Sequence, residues 1–214
     1  TLLPEWAQIN SIDADPFNEG GLYVAATRYK LDDYKPYLLK TTDFGKTWKR
    51  IDKGIDQKHF TRVIRADAVK KGLLFSGTEE GMYISFNDGE NWQPFQQNLP
   101  IVPITDLTIK NEDLIVATQG RSFWIIDDIS PLRNLVSKDS KYYIYQPRNA
   151  YRMRGGNSSD GITLGKNLQS GVQFYYYFNE MPDSNLVELK IKDETGKLIK
   201  TIKPKAKEKP DQLP

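Results

Sequence analysis

Apolar residues along this chain fall in short runs broken by Gly, Asp, Asn and Pro, and almost nowhere at helical spacing. Runs of this length, bounded by turn formers, predict β-strands. In the first part of the chain four strands are predicted, near Ile9–Asp13, Leu22–Thr27, Tyr37–Thr41 and Thr47–Ile51. Four more fall near Arg62–Ala66, Leu73–Gly77, Met82–Phe86 and Trp92–Phe95. A third group has only three clear members, Ile104–Ile109, Leu114–Thr118 and Ser122–Ile126.

The groups repeat one another. "TTDFGKTW" (41–48) matches "SFNDGENW" (85–92): Thr41 aligns with Ser85, Asp43 with Asn87, Gly45 with Gly89 and Trp48 with Trp92. Asp43 and Asn87 are roughly 44 positions apart, and a period of about 40–50 residues made only of strand and turn predicts four-stranded propeller blades. The third copy keeps its strands but loses the box, because Asp127-Asp128 runs into Ile129-Ser130-Pro131.

The box falls on the turn between the third and fourth strands of a blade. There a short carboxylate or amide can accept hydrogen bonds from turn N–H groups, and glycine supplies a positive φ. The tryptophan is expected to open the fourth strand and to bury against its own blade or the neighbouring one. Thr41, Asp43, Gly45, Thr47, Trp48, Ser85, Asn87, Gly89 and Trp92 are therefore read as architecture. A calcium loop is the competing reading, but neither copy has the regularly spaced acids and distant Glu of a helix-loop-helix calcium site.

After Pro131 the pattern changes. Residues 1–135 are assigned to the blades, 136–170 to a linker or long loop, 171–202 to the start of a second β-domain and 203–214 to a solvated Lys- and Pro-rich tail. The glycines of "RMRGGNSSDGITLG" match neither a dinucleotide fingerprint nor a P-loop. "NSS" at 157–159 is a glycosylation site only in a eukaryotic product. "GVQFYYYFNE" and "NLVELKIKDETGKLIKTI" predict three strands, with "DETGK" as a hairpin turn and Val187, Leu189 and Ile191 on one face.

Composition narrows the chemistry. The chain has 214 residues, no cysteine, a single histidine (His59) and a net charge of +2. Thiolate catalysis, disulfides and a two-histidine zinc site are excluded, and no strong field points to nucleic acid or membrane. No apolar run approaches the roughly 20 residues of a membrane helix. The first residues, "TLLPEWAQIN", lack the pattern of a signal peptide. Both ends are expected to be interior to a longer protein, because a closed propeller typically has about 4–8 blades and a sandwich domain roughly seven strands. No cofactor or metal is expected.

The two boxes at blade spacing resemble the Asp-box, or BNR, repeat of bacterial sialidases and sortilin-type propellers. "LIVATQGRSFWIIDDISPLR" (114–133) resembles the last propeller blade of large bacterial proteins described as glycosyl hydrolases with BNR or sortilin-like repeats. The resemblance implies an all-β fold: a partial β-propeller of about three blades followed by part of an immunoglobulin-like or FlgD-like β-sandwich. It further implies an extracytoplasmic protein that binds a glycan or a protein ligand, with the remaining blades supplied by a missing N-terminal part or another chain. The alternative is part of a sialidase-like glycoside hydrolase.

In the sialidases that this chain resembles, the active site lies at the propeller end opposite the boxes. Strand alternation places segments 28–36, 53–60, 78–81, 97–103 and 118–121 at that end. Tyr29, Asp32, Asp33, Glu79 and Glu80 are the catalytic candidates there, since glycoside hydrolysis uses paired carboxylates and a retaining sialidase a Tyr–Glu pair. Tyr29 with Glu79 fills that role only if folding brings them together. Arg28, Tyr34, His59 and Arg121 are the candidate ligand contacts, and arginine suits a substrate carboxylate. The ordinary alternative for each is a solvated loop residue, or, for Arg121, a bond to a neighbouring blade. Trp124 is read as core.

Overall fold

The computed structural model describes residues 2–135, 140–150, 171–183 and 187–203. These fall into two compact units, one ending at Asn134 and the other beginning at Leu135.

The first unit is a succession of antiparallel meanders. Strands β1 (Gln8–Ala14), β2 (Leu22–Arg28), β3 (Asp33–Thr41) and β4 (Lys49–Arg50) form one sheet in that order. Strands β5 (Thr61–Ala66), β6 (Leu74–Thr78), β7 (Gly81–Ser85) and β8 (Gln93–Pro94) form the second. Strands β9 (Ile104–Lys110), β10 (Asp113–Thr118) and β11 (Phe123–Ile126) form the third, followed by a single helical turn, α1 (Ser130–Arg133). β5 packs against both β1 and β9, so the first strands of the three sheets gather together and each sheet lies face-on against the next. This is a partial β-propeller of three blades.

Alternation along the strands builds the two cores. Tyr23, Ala25 and Leu38 leave blade 1 on the side facing blade 2 and meet Ile64, Leu74, Tyr83 and Trp92. The other face of blade 2 sends Val63, Phe75, Met82 and Ile84 onto Ile104, Leu107, Leu114 and Val116 of blade 3. At roughly 25 cal/mol per Å² of apolar surface removed from water, these two seams supply most of the cohesion between blades. Gly77 shows how close they are: a Cβ there would stand 2.6 Å from Ile104 Cγ2 and 2.7 Å from Val63 Cγ1.

Polar stitches cross the seams as well. Thr61 Oγ1 accepts from Tyr37 N–H at 3.1 Å and lies within donor range of the Ala26 and Tyr37 carbonyls, all of it buried. Arg65 donates to Leu107 O and Asp106 of blade 3 and to Ser11 of blade 1. Arg133, in α1, makes a bidentate pair with the buried Asp67 at the end of β5 and donates to Asn111 O. Nothing in the sequence announced that pair.

The expected strands are recovered with three changes. The fourth strands shrink to two residues each, β4 and β8, so each tryptophan precedes its strand rather than opening it. β3 begins at Asp33, four residues ahead of the expected Tyr37, because a 3-10 turn over Tyr29–Leu31 followed by Asp32 in the left-handed region reverses the chain early. Trp48 is only half-buried, whereas Trp92 is 5% exposed. Trp92 fills the seam between blades 1 and 2, and among the described residues no blade covers Trp48.

In the second unit, β12 (Tyr142–Ile144) pairs with β13 (Tyr176–Phe178), and β14 (Leu189–Lys192) with β15 (Leu198–Ile202). The expected "DETGK" turn joins the latter pair, with Asp193 Oδ1 accepting from Thr195 and Lys197 N–H. Leu189 and Ile191 are its less exposed face. "GVQFYYYFNE" contributes a strand of only three residues. β12 lies inside the stretch expected to be linker, where a short Tyr-Tyr-Ile run without alternation gave little to read. Residues 151–170, with the Gly- and Ser-rich run and the "NSS" triplet, and the tail from 204 on lie outside the described residues.

Candidate functional site

Strand direction gives each blade two ends. At one end, the first and third turns of a blade are tied together: Phe44 N–H donates to Gly20 O and Asp88 N–H to Gly72 O. Both boxes are here. Asp43 Oδ1 accepts from Thr47 N–H at 2.9 Å and from Thr41 Oγ1 at 2.8 Å, and Asp43 Oδ2 from Thr47 Oγ1 at 2.6 Å. Thr41 Oγ1 in turn accepts from Gly45 N–H. These bonds hold the Asp43 carboxyl below the ordinary carboxylate range, the Thr47 hydroxyl first among them. The second box repeats the pattern, with Ser85, Asn87, Gly89 and Asn91 in the same places. Gly89 has φ +81°, and a Cβ there would stand 2.7 Å from Ile51 Cδ1. The carboxylate oxygens are spent on turn donors, which is what a structural turn requires.

Beside the boxes runs a network that the sequence did not suggest. Tyr23 OH donates to Asp88 Oδ1 at 2.6 Å, Lys40 pairs with Asp88, and Lys40 Nζ stands 3.9 Å from Asp15 Oδ2. Burial, then the hydrogen bond to Asp88, pushes the Tyr23 phenol far up. It latches blade 1 to the box turn of blade 2.

The opposite end gathers most of the candidate residues from blades 1 and 2. Tyr29 stacks on Phe60 with ring centroids 4.7 Å apart and planes 9° from parallel, and Tyr34 leans on the same ring at 6.2 Å. Arg62 lies over both Phe60 and Tyr29, at 5.2 and 5.9 Å. Its Nε and Nη2 each lie 2.6 Å from Glu79 Oε2. Tyr29 and Glu79 are thus brought to one arginine, which neutralises the carboxylate. Next to them, His59 Nδ1 and Tyr83 OH are 2.9 Å apart and His59 Nε2 stands 3.2 Å from Glu80 Oε2. A neutral imidazole protonated on Nε2 satisfies both contacts, with Tyr83 OH donating to Nδ1. Burial raises the Tyr83 phenol, against the hydrogen bond from Asp56 N–H.

The remaining candidates are dispersed. Asp33 sits at the start of β3, where it accepts from Tyr37 OH at 2.8 Å and stands 3.6 Å from Arg28 Nη1. Burial alone would raise its carboxyl; the bonds from Tyr37 and Lys35 N–H, with the Lys35 and Arg28 charges, hold it below the ordinary range. Arg28 also donates to Glu5 O. Asp32 is exposed at the end of the 3-10 turn. Arg121 is exposed on its own tight turn: its guanidinium donates to Gly120 O, while its carbonyl accepts from Trp124 Nε1. Trp124 packs partly buried against the seam between blades 2 and 3.

Phe60, Arg62 and Tyr83 organise this end and were not singled out from sequence. The signal was present in "HFTR" (59–62), an aromatic flanked by cationic residues at the entry to an inner strand. Among the described residues no group of three or more acidic or histidine side chains converges as a metal site would.

No protein-family model matches the chain, and no curated protein does. Among solved structures it is similar to YCF48 bound to D1 peptide, at 21% identity over 59% of this chain and 40% of that one, with a TM-score of 0.41. It is similar to the GH74 enzyme of Niastella koreensis at 18% identity over 64% of this chain and 25% of that one, TM-score 0.45. The GH74 xyloglucanase from Xanthomonas campestris follows at 15% identity, 56% and 22%, TM-score 0.40. The chain spans less than half the length of each.

Proposed function

We propose that this chain is a binding segment of an extracytoplasmic propeller of the Asp-box (BNR) type, followed by the beginning of a β-sandwich domain, and that it takes a protein or glycan ligand at the end opposite the boxes. The observation that carries the reading is the cluster of Tyr29, Tyr34, Phe60 and Arg62 with its flanking pairs, built by loops from two blades on rigid strands. Aromatic rings beside an arginine suit sugar faces, peptide side chains and carboxylates alike. The carboxylates argue for binding rather than hydrolysis. Glu79 is committed to Arg62, Glu80 to His59 and Asp33 to Tyr37. Hydrolysis needs an acid and a nucleophile or base about 5–10 Å apart and facing one bond.

The test is to screen the 214-residue chain on a glycan array and a displayed peptide library, beside Tyr34→Ala and Arg62→Gln, and to assay it on aryl glycosides including a sialoside. Binders that both variants lose, with no turnover, support the proposal. Turnover by the purified chain that Glu79→Gln abolishes would overthrow it.

A further inference from the structure

The ion pair within the aromatic cluster is only half engaged. Arg62 Nε and Nη2 both approach the same oxygen, Glu79 Oε2. Among the described residues neither Glu79 Oε1 nor Arg62 Nη1 has a hydrogen-bond partner, and the Glu79 and Arg62 side chains are 33% and 23% exposed. The buried Asp67 is the contrast: both of its oxygens are taken, by Arg133 and by the N–H groups of Val69 and Lys70. Arg62 is held over the rings of Phe60 and Tyr29, and Glu79 is anchored by its own N–H, which donates to Phe60 O. The pair thus presents a positioned donor, Nη1, and a positioned acceptor, Oε1. The half-exposed ring of Tyr34 belongs to the same cluster.

Charge and geometry narrow the class of ligand. A carboxylate arriving at Arg62 would share the guanidinium with Glu79, and like charges at one site repel. Glu80, next in the chain and 55% exposed, adds to that repulsion. A cation would meet Arg62 itself. The loop that carries Tyr29 and Tyr34 sets Lys30 and Lys35 against Asp32 and Asp33, so it brings no net charge of its own. A peptide read as an added strand needs a free strand edge. The edge of β5 is occupied: Thr61 O, Ile64 O and Ala66 N are taken by the side chains of Asn10, Ser11 and Asp13. A neutral sugar meets these conditions. Each hydroxyl is donor and acceptor at once, so neighbouring hydroxyls on one ring can accept from Nη1 and donate to Oε1. Bonds to charged partners are the stronger kind, and the apolar face of the sugar ring suits an exposed tyrosine.

We infer that the ligand of this face is a neutral glycan, with two adjacent hydroxyls of one sugar bridging Arg62 Nη1 and Glu79 Oε1 and its ring against Tyr34. The inference rests on the ligand face proposed above. It turns that face away from the acidic sugars and acidic peptides that an arginine without Glu79 would favour.

The test measures binding of the 214-residue chain to immobilised neutral oligosaccharides of glucose, mannose and galactose, beside sialylated and uronate-bearing ones and a displayed peptide library. Neutral sugars alone are expected to bind, with an affinity that added salt hardly changes, because no net charge is paired. Glu79→Gln releases the Arg62 charge. It should weaken the neutral sugar about tenfold, through loss of a bond to a charged acceptor, and confer binding of the acidic ones. Tyr34→Ala should weaken neutral binding without conferring acidic binding. Acidic glycans or peptides bound by the unchanged chain and lost in Tyr34→Ala overturn the inference but leave the ligand face standing. A neutral sugar weakened by Tyr34→Ala and not by Glu79→Gln does the same. No binding to any probe, or binding that neither variant changes, removes the ligand face and the inference with it. Should Glu79→Gln not fold, the unchanged chain decides: neutral-sugar binding that survives added salt supports the inference, and binding that salt abolishes overturns it.

Discussion

Asp43 and Asn87 do the same work with different charge. Each accepts from the hydroxyl two residues back and the N–H four residues on, so the turn needs an acceptor of that length rather than an anion. The carboxylate nevertheless adds a pH dependence. Its folded pKa is depressed, so its contribution to stability is present above the unfolded value near about 4 and is lost as pH falls through the lower folded value. Asp43→Asn is expected to keep the turn and to remove this part of the acid sensitivity. Urea midpoints of the two proteins, measured at neutral pH and in the window below about 4, should fall further for the wild type. Equal losses would show that Asp43 makes no ionic contribution to the turn.

At the scale of the element, one motif has two fates. The two boxes place Trp48 and Trp92 in the same position after the same turn, and the local hydrogen bonds match. Their energies differ because burial is set by the neighbouring blade. Trp92→Ala opens a void in the seam and strands the Ile51 carbonyl, and should cost about 3–5 kcal/mol. Trp48→Ala removes a half-exposed ring and should cost about 1 kcal/mol. Denaturant titration of both variants separates them; equal costs would mean that the seam does not set the difference. The strands are a similar case. Short apolar runs flanked by Gly, Asp and Asn marked where they lie in the blades, since both the runs and their punctuation are local. β12 was missed because its partner β13 lies more than thirty positions away, and no local pattern reports such a pairing.

For the three-blade unit as a whole, cohesion rests on two apolar seams and a few buried polar ties. The Asp67–Arg133 pair is the deepest of these, with side chains 0% and 8% exposed. It fastens the segment that follows blade 3 to the first turn of blade 2. Removing one partner leaves an uncompensated charge in a dry site, so Arg133→Met or Asp67→Ala should each cost about 3–5 kcal/mol. The double variant Asp67→Ala/Arg133→Met should cost clearly less than the two singles together, because no charge is then left alone. Additive losses in urea titration would refute the coupling.

The all-β character, the blade period and the hydrogen-bonding chemistry of the box turns were legible in the residues alone. Those properties are encoded at short range, in alternation, turn residues and spacing. Which charged residues come together was set by the packing of strands and of one blade on the next. Arg62 took Glu79, His59 took Glu80 and Tyr83, and Tyr29 stacked on Phe60, each across a gap of at least seventeen positions. Packing also left Arg121, prominent in its sequence neighbourhood, on its own exposed turn, and among the described residues it gave only one of the two box tryptophans a blade to bury against. Ion pairing and burial depend on which surfaces meet, and that is settled by packing between blades rather than by any pattern within one.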